Sequence, residues 1–273
     1  MSLTGRESIE AGQVALEEFS RTADAAQIAE CADELLAVTR FLADQPRLRR
    51  ALSDPARDAS DRQGLARTLI GGHIGSGAAS VVAELVKGRW GSAGELLNGV
   101  ESLAISGLLE AGSAEGNLAE IEDQLFRFKQ VVDGDNELSG TLGSSGPGAE
   151  GRAYLVGKLL DGKANPVTVK LAAAAAYGIG GRSFLAALEH LVEAAAAKRE
   201  ERVAYVTVAR PLSEEDERKL AAKLTLLYGM PVGVKLTVDP SIVGGIRVQV
   251  GSDLYDGTVE RRLTEARLTL AGR

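Results

Sequence analysis

Apolar positions in the first two hundred residues recur with helical spacing. Leu35, Leu36, Val38, Phe41 and Leu42 follow the i, i+3, i+4, i+7 rhythm that lays one apolar stripe along a helix. Leu48, Ala51 and Leu52 add a further turn or two, ended by Ser53-Asp54-Pro55. A third segment from Arg62 to Ile70 stops at Gly71-Gly72, a C-cap signal. The pattern then returns. Leu35, Phe41, Leu42, Leu48, Leu52, Ala59, Arg62, Leu65, Leu69, Ile70 and Gly72 recur as Leu125, Val131, Val132, Leu138, Leu142, Ala149, Arg152, Leu155, Leu159, Leu160 and Gly162, always 90 residues on. Matches in one register over this length predict two copies of one unit, each a bundle of about six short helices. In the second copy Pro166 opens a helix behind Asn165, a plausible N-cap. A long last helix spans about Phe184 to Glu201, and no strand is needed in residues 1–200.

After Arg202 the pattern changes. Val203, Tyr205, Val206, Thr207 and Val208 are β-formers. Pro211-Leu212-Ser213 reads as a turn and N-cap, with Asp216 completing a weak capping box, and Glu214 to Tyr228 reads as a helix. Gly229-Met230-Pro231 breaks it. Val232–Val238 alternates as a strand, and Ile242–Val250 is a second β segment interrupted by Gly244-Gly245. Asp256-Gly257 marks a turn, and Thr258–Leu270 is a final helix. The predicted class is therefore mainly α with a small α+β C-terminal domain of order β-α-β-β-α. The predicted divisions are 1–98 (first copy), 99–200 (second copy) and 201–273.

Composition narrows the function classes. The chain of 273 residues carries 45% apolar and 25% charged residues, the balance of a soluble globular protein, and only 4% aromatics. Its net charge of −7 splits into −3, −5 and +1 over the three divisions, which argues against a nucleic-acid partner. Cys31 is the single cysteine, so an internal disulfide and a thiolate zinc site are both excluded. The polar N-terminus with Arg6, Glu7 and Glu10 is unlike a signal peptide, and no apolar run approaches the roughly 20 residues of a membrane helix. A soluble, cytoplasmic protein is expected.

Catalytic motifs are poorly represented. Gly157 to Gly162-Lys163 matches half of a phosphate-binding loop, but Ala164 stands where Ser or Thr should hold magnesium, and the segment continues a helix. Gly71 to Gly77 reads as a loop, not a phosphate nest. His73 and His190 have no ligand-spaced companions, the acidic run Glu214–Glu217 complements a helix N-terminus, and Trp90 reads as a core or interface anchor. No catalytic residue, metal site or cofactor is expected. Two rival readings are a nucleotide-binding enzyme using Gly157–Lys163 and a free-standing helical-repeat scaffold. The second predicts a further repeat, whereas residues 203–273 break the period.

The segment Val238-Asp239-Pro240-Ser241-Ile242-Val243-Gly244-Gly245, followed by a strand and Asp256-Gly257-Thr258-Val259, resembles the signature of the F-type ATP synthase delta subunit (OSCP) family. Ala209 to Ser213 resembles the family's A-x-P-L-S element, and Gly181-Arg182 its G-R before the last long helix. Leu103 stands where the family's first helix carries tyrosine. The resemblance to an ordinary member covers about residues 99–273. The extra copy in residues 1–98 resembles the arrangement of actinobacterial delta sequences.

This resemblance implies a non-catalytic stator adaptor that resists torque during proton-driven ATP synthesis. Its implied partners are the N-terminal helices of the alpha subunits and the C-terminal region of the b subunit, with the membrane, at the cytoplasmic face of the plasma membrane, met only through the complex. For the alpha subunits it implies a groove between a first helix near Val100–Leu109 and a fifth near Pro166–Ala176, a helix-in-groove mode. The residues concerned are Leu103, Leu108, Leu109, Val169, Ala172, Ala173 and Ala176. The b-facing domain carries Asp239, Pro240, Gly244, Gly245, Asp256 and Gly257.

Overall fold

A computed structural model describes residues 3–143, 148–201, 203–228, 232–239, 242, 244–250 and 253–257. The chain forms two compact units, residues 1–195 and 196–273.

The first unit contains helices and no strand among its described residues, and its last helix, α11, continues past residue 195. Its helices are α1 (Leu3–Ser20), α2 (Ala25–Asp44), α3 (Pro46–Ser53), α4 (Ala59–Leu69), α5 (Ser76–Lys87), α6 (Ala93–Ala114), α7 (Leu118–Gly134), α8 (Asn136–Leu142), α9 (Ala149–Leu160), α10 (Pro166–Ala175) and α11 (Phe184–Glu201). Local chemistry sets their starts. Asp24 and Gln27 form a capping box on α2, each side chain accepting from the other's backbone N–H. Asp135 accepts from the Glu137 and Leu138 amides to start α8. Asn165 caps α10 with Pro166 in the first turn, where a missing N–H costs nothing.

The repeat is visible in three dimensions. α3, α4 and α5 begin 90 residues before α8, α9 and α10. Leu35 and Leu125, Leu42 and Val132, and Leu52 and Leu142 are buried at matching places in one continuous core. Two tertiary hydrogen bonds repeat as well. The Gly75 amide donates to Glu34 Oε1 at 2.8 Å, and the Asn165 amide donates to Gln124 Oε1 at 2.8 Å. Arg62 Nε donates to the Val86 carbonyl at 2.7 Å, and Arg152 Nη2 to the Ala176 carbonyl at 2.9 Å. Polar contacts this far apart in sequence recur only if both copies adopt one topology.

α6 begins 90 residues after α1, so it closes the first copy and opens the second. Residues 98 and 99 both lie inside it. Its surroundings explain why so much of it is apolar. Leu96, Val100, Leu103, Ala104, Leu108 and Ala111 are all buried, which a helix with neighbours on one side only would not allow. Small residues let those neighbours approach. A Cβ on Gly107 would lie 3.0 Å from Ala32 on α2, and one on Gly112 would overlap the Ile121 side chain on α7. One expected core pair does not belong to the core: Phe41 and Val131 are 42% and 59% exposed. The buried stripe runs through Leu35, Val38 and Leu42, and Phe41 sits about 100° around the helix from Leu42.

The second unit contains β1 (Val203–Val208), α12 (Glu214–Tyr228), β2 (Gly233–Val238), β3 (Ile246–Val250) and β4 (Asp253–Asp256) in one sheet of order β2-β1-β3-β4. β1 and β2 are parallel, joined through α12 as a parallel pair requires, while β3 is antiparallel to both its neighbours. Ala204, Val206, Val208, Val248 and Val250 alternate onto one face and pack with Leu220 and Leu224 of α12. Ser213 caps α12, its Oγ accepting from the Asp216 amide and donating to the Asp216 carboxylate. The expected second β segment is shorter, beginning at Ile246, and β4 stands where only a turn was expected. Four residues are too few for an alternation signal, so pairing with β3 alone defines β4. The final helix expected over Thr258–Leu270 lies outside the described residues.

Candidate functional site

The groups that most resemble catalytic chemistry are occupied in the fold. Gly157 lies inside α9, and Lys163 Nζ donates to the Leu159 carbonyl at 3.2 Å, so the segment is a helix end and not a strand-loop-helix cradle. The Gly71–His73 stretch is a 3₁₀ turn, and Gly77 provides the space against which Phe19 packs. Cys31 is buried on α2, and burial, then the nearby Glu34 carboxylate, pushes its thiol up to about 12. His190 is held below its usual range by burial and next by Arg182, with Glu193 opposing. Among the described residues no cluster of His, Cys, Asp or Glu is arranged to hold a metal ion.

The residues expected to face the alpha subunits fall into two sets. Leu103, Leu108, Leu109, Ala172 and Ala176 are buried within the core of the helical unit. Leu103 reaches across to α1, where a Cβ on Gly12 would lie 2.5 Å from its Cδ1. Val169 and Ala173 are half-buried and lie one helical turn apart on α10, so they share a face.

Contacts between the copies were not legible as motifs. Lys170 Nζ on α10 meets Asp33 Oδ2 on α2 at 2.6 Å, and Arg40 stacks over the Tyr177 ring 5.4 Å from its centroid. Ser106 Oγ on α6 donates to Gln13 Oε1 on α1 at 3.1 Å. The Gly180 amide donates to Glu101 Oε2 at 2.8 Å, tying the glycine-rich turn before α11 to α6. Burial raises the Glu101 carboxyl above its ordinary range, opposed by that hydrogen bond and by Arg182. The repeat offset would have suggested neighbouring copies, but no local spacing signals these partners.

The signature residues build the connection between β2 and β3. The Asp239 amide donates to the Val208 carbonyl at 2.9 Å, extending the β1–β2 pairing, and Ile242 returns to donate to the Asp239 carbonyl. Gly244 and Gly245 follow with φ of 80° and 92°, a region that L side chains enter only with strain. The Gly257 amide donates to the Ile246 carbonyl at 2.9 Å, and a Cβ there would approach that oxygen to 3.2 Å. Asp256 lies opposite Arg247 across β3–β4, 3.4 Å from its guanidinium. Pro240 lies outside the described residues. The motif is thus a backbone solution for reversing the chain and not a constellation of reactive groups.

Comparison with known proteins agrees with this geometry. The family model "ATP synthase delta (OSCP) subunit" matches residues 106–270. The chain is 50% identical over 270 residues to ATP synthase subunit delta of Salinispora arenicola, covering 99% of this chain and 98% of the relative. It is 39% identical over 274 residues to ATP synthase subunit delta of Streptomyces griseus, covering both chains completely. These relatives align across the first helical copy as well as the part matched by the family model. With a backbone-building signature, a family model over more than half of its length and full-length similarity to delta subunits, the chain belongs to the ATP synthase delta (OSCP) subunit family.

Proposed function

We propose that this subunit joins the N-terminal helices of the alpha subunits in the catalytic head to the C-terminal region of the b subunit. Members of its family are non-catalytic structural subunits of F-type ATP synthase, stator components of the peripheral stalk, and its partners lie within that complex. What supports the finer reading is the division into two compact units, with the family signature on the second. An adaptor needs two ends that bind independently. On this reading the second helical copy, residues 99–200 with α6 as its first helix, faces the head, and residues 201–273 face b. The half-exposed Val169 and Ala173 on α10 are the approachable part of the alpha-binding groove, and the buried residues behind them hold its wall in place. The assembly sits at the cytoplasmic face of the plasma membrane, reached through its partners; no helix among the described residues is long and apolar enough to cross a bilayer.

A pull-down tests both ends. A chain ending at residue 202 is expected to lose b while still capturing an alpha-subunit N-terminal peptide, and Val169→Asp with Ala173→Asp is expected to do the reverse. Retained b binding by the shortened chain would falsify the assignment of the ends.

A further inference from the structure

The two helical copies differ most usefully on α3 and its counterpart α8. The inward positions are held: Leu48 and Leu52 in the first copy match Leu138 and Leu142 in the second. The outward positions are not. Arg47 and Arg50 of the first copy stand where the second has Glu137 and Gly140. A duplicated helix that keeps its core and reverses the charge of its outer face has changed what it meets in solvent, not how it folds.

Those arginines border a concavity. Arg47, Arg50 and Arg57 line a hollow of about 690 Å³ together with Asp54, Trp90 and Ser92, at the link between α5 and α6. All three arginines are exposed. Arg57 has only a long contact of 3.9 Å to the half-exposed Asp54, and the Arg50 head bonds the Pro46 carbonyl through Nε alone. Three arginines therefore border one hollow, against the single carboxylate of Asp54 in its lining, in a protein whose net charge is −7. Such forks bind carboxylates in pairs of parallel hydrogen bonds.

We propose that this face of the first copy is a docking site for an acidic segment of another polypeptide in the same complex. The inference rests on the stator reading for the partner's source, but not for its chemistry. A nucleotide fits the hollow less well. The indole of Trp90 is 5% exposed and its N–H is committed to the Leu85 carbonyl at 2.8 Å, leaving no stacking platform. A segment carrying several Glu or Asp side chains can meet Arg47, Arg50 and Arg57 together.

The test uses the full chain and a fluorescein-labelled glutamate decapeptide, read by anisotropy. Trp90 is the only tryptophan and lines the hollow, so its emission reports the same event. Binding is expected to weaken with salt and to fall at least about tenfold in Arg47→Glu with Arg50→Glu. The charge-matched pair Arg6→Glu with Arg21→Glu, exposed on and just after α1, is expected to leave it within about twofold. Equal loss in both pairs, or no loss in the first, overturns the site; displacement by equimolar Mg-ATP overturns it in favour of a phosphate ligand. In the assembled synthase, a photo-cross-linker replacing Pro55 is expected to mark an acidic stretch of another subunit. A neutral or basic target, or none, overturns the proposal. Either failure leaves the alpha and b assignments standing, because those are tested at other residues.

Discussion

The guanidinium of Arg62, 4% exposed, donates to the Val86, Lys87 and Gly88 carbonyls at the end of α5 and to the Asp54 carbonyl. A cation there meets the negative end of the helix dipole and satisfies carbonyls that the helix itself cannot. Arg62→Ala should cost about 3 kcal/mol in urea unfolding, since buried acceptors lose a charged donor. Arg152→Ala, at the half-buried matching position, should cost clearly less because water reaches the vacated site; equal losses would show that burial is not what decides. Cys31 offers a second test. Burial keeps its thiol protonated up to about 12, whereas the unfolded thiol ionises near its ordinary value of 9.0. Disulfide reagents at pH 8 should modify it only after denaturation. Its contribution to stability is complete below pH 9 and is lost as pH rises from there toward 12, so urea midpoints should fall over that window.

At the scale of elements, the duplicated helices form where the apolar rhythm placed them, and their caps are the residues that the sequence offered. Asn165 before Pro166 and Ser213 before Glu214 act locally, which is why they can be read without a fold. Gly71, by contrast, does not cap α4: Ile70 does, and Gly71 opens the 3₁₀ turn that follows without a positive φ. The β2–β3 connection is different. Gly244 and Gly245 stand out in the sequence, but only the backbone path shows that they need positive φ. Gly245→Val should therefore strain the connection by about 1–3 kcal/mol, visible as faster amide exchange in β3 with the helical unit unchanged. Exchange unaltered at Ile246 and Val248 would remove that account. Phe41 and Val131 mark the limit of periodicity. They fit a helical stripe on spacing, yet lie outside the arc that neighbouring helices cover.

At the scale of the molecule, sharing α6 makes the two helical copies one cooperative body. The buried residues from Leu16 of α1 to Ala195 of α11 belong to a single core, and Asp33–Lys170 and Arg40–Tyr177 cross from one copy to the other. Each such surface pair contributes little, roughly 0.2–1 kcal/mol, so the shared helix carries the coupling. Removing residues 1–92 should expose the side of α6 that faces α1 and α2, around Leu103 and Gly107. The shortened chain is expected to bind a hydrophobic dye and to melt earlier than residues 93–201 do in the full chain. Unchanged melting would mean that the copies are independent. For a stator this coupling matters, because a load-bearing adaptor with a hinge between its copies would absorb torque instead of resisting it.

The sequence alone determined the helix rhythm, the duplication at an offset of 90, the change to β structure after Arg202 and the family signature. Each rests on short-range order: spacing along a helix, cap residues, or a motif contiguous in the chain. The tertiary structure decided that one helix serves both copies, that Leu103, Leu108, Leu109, Ala172 and Ala176 are core while Val169 and Ala173 reach the surface, and that Arg47, Arg50 and Arg57 border one hollow. Burial and convergence depend on which elements pack together. An apolar residue on a helix has the same spacing whether it meets its own core or a partner, and only the packing tells the two apart.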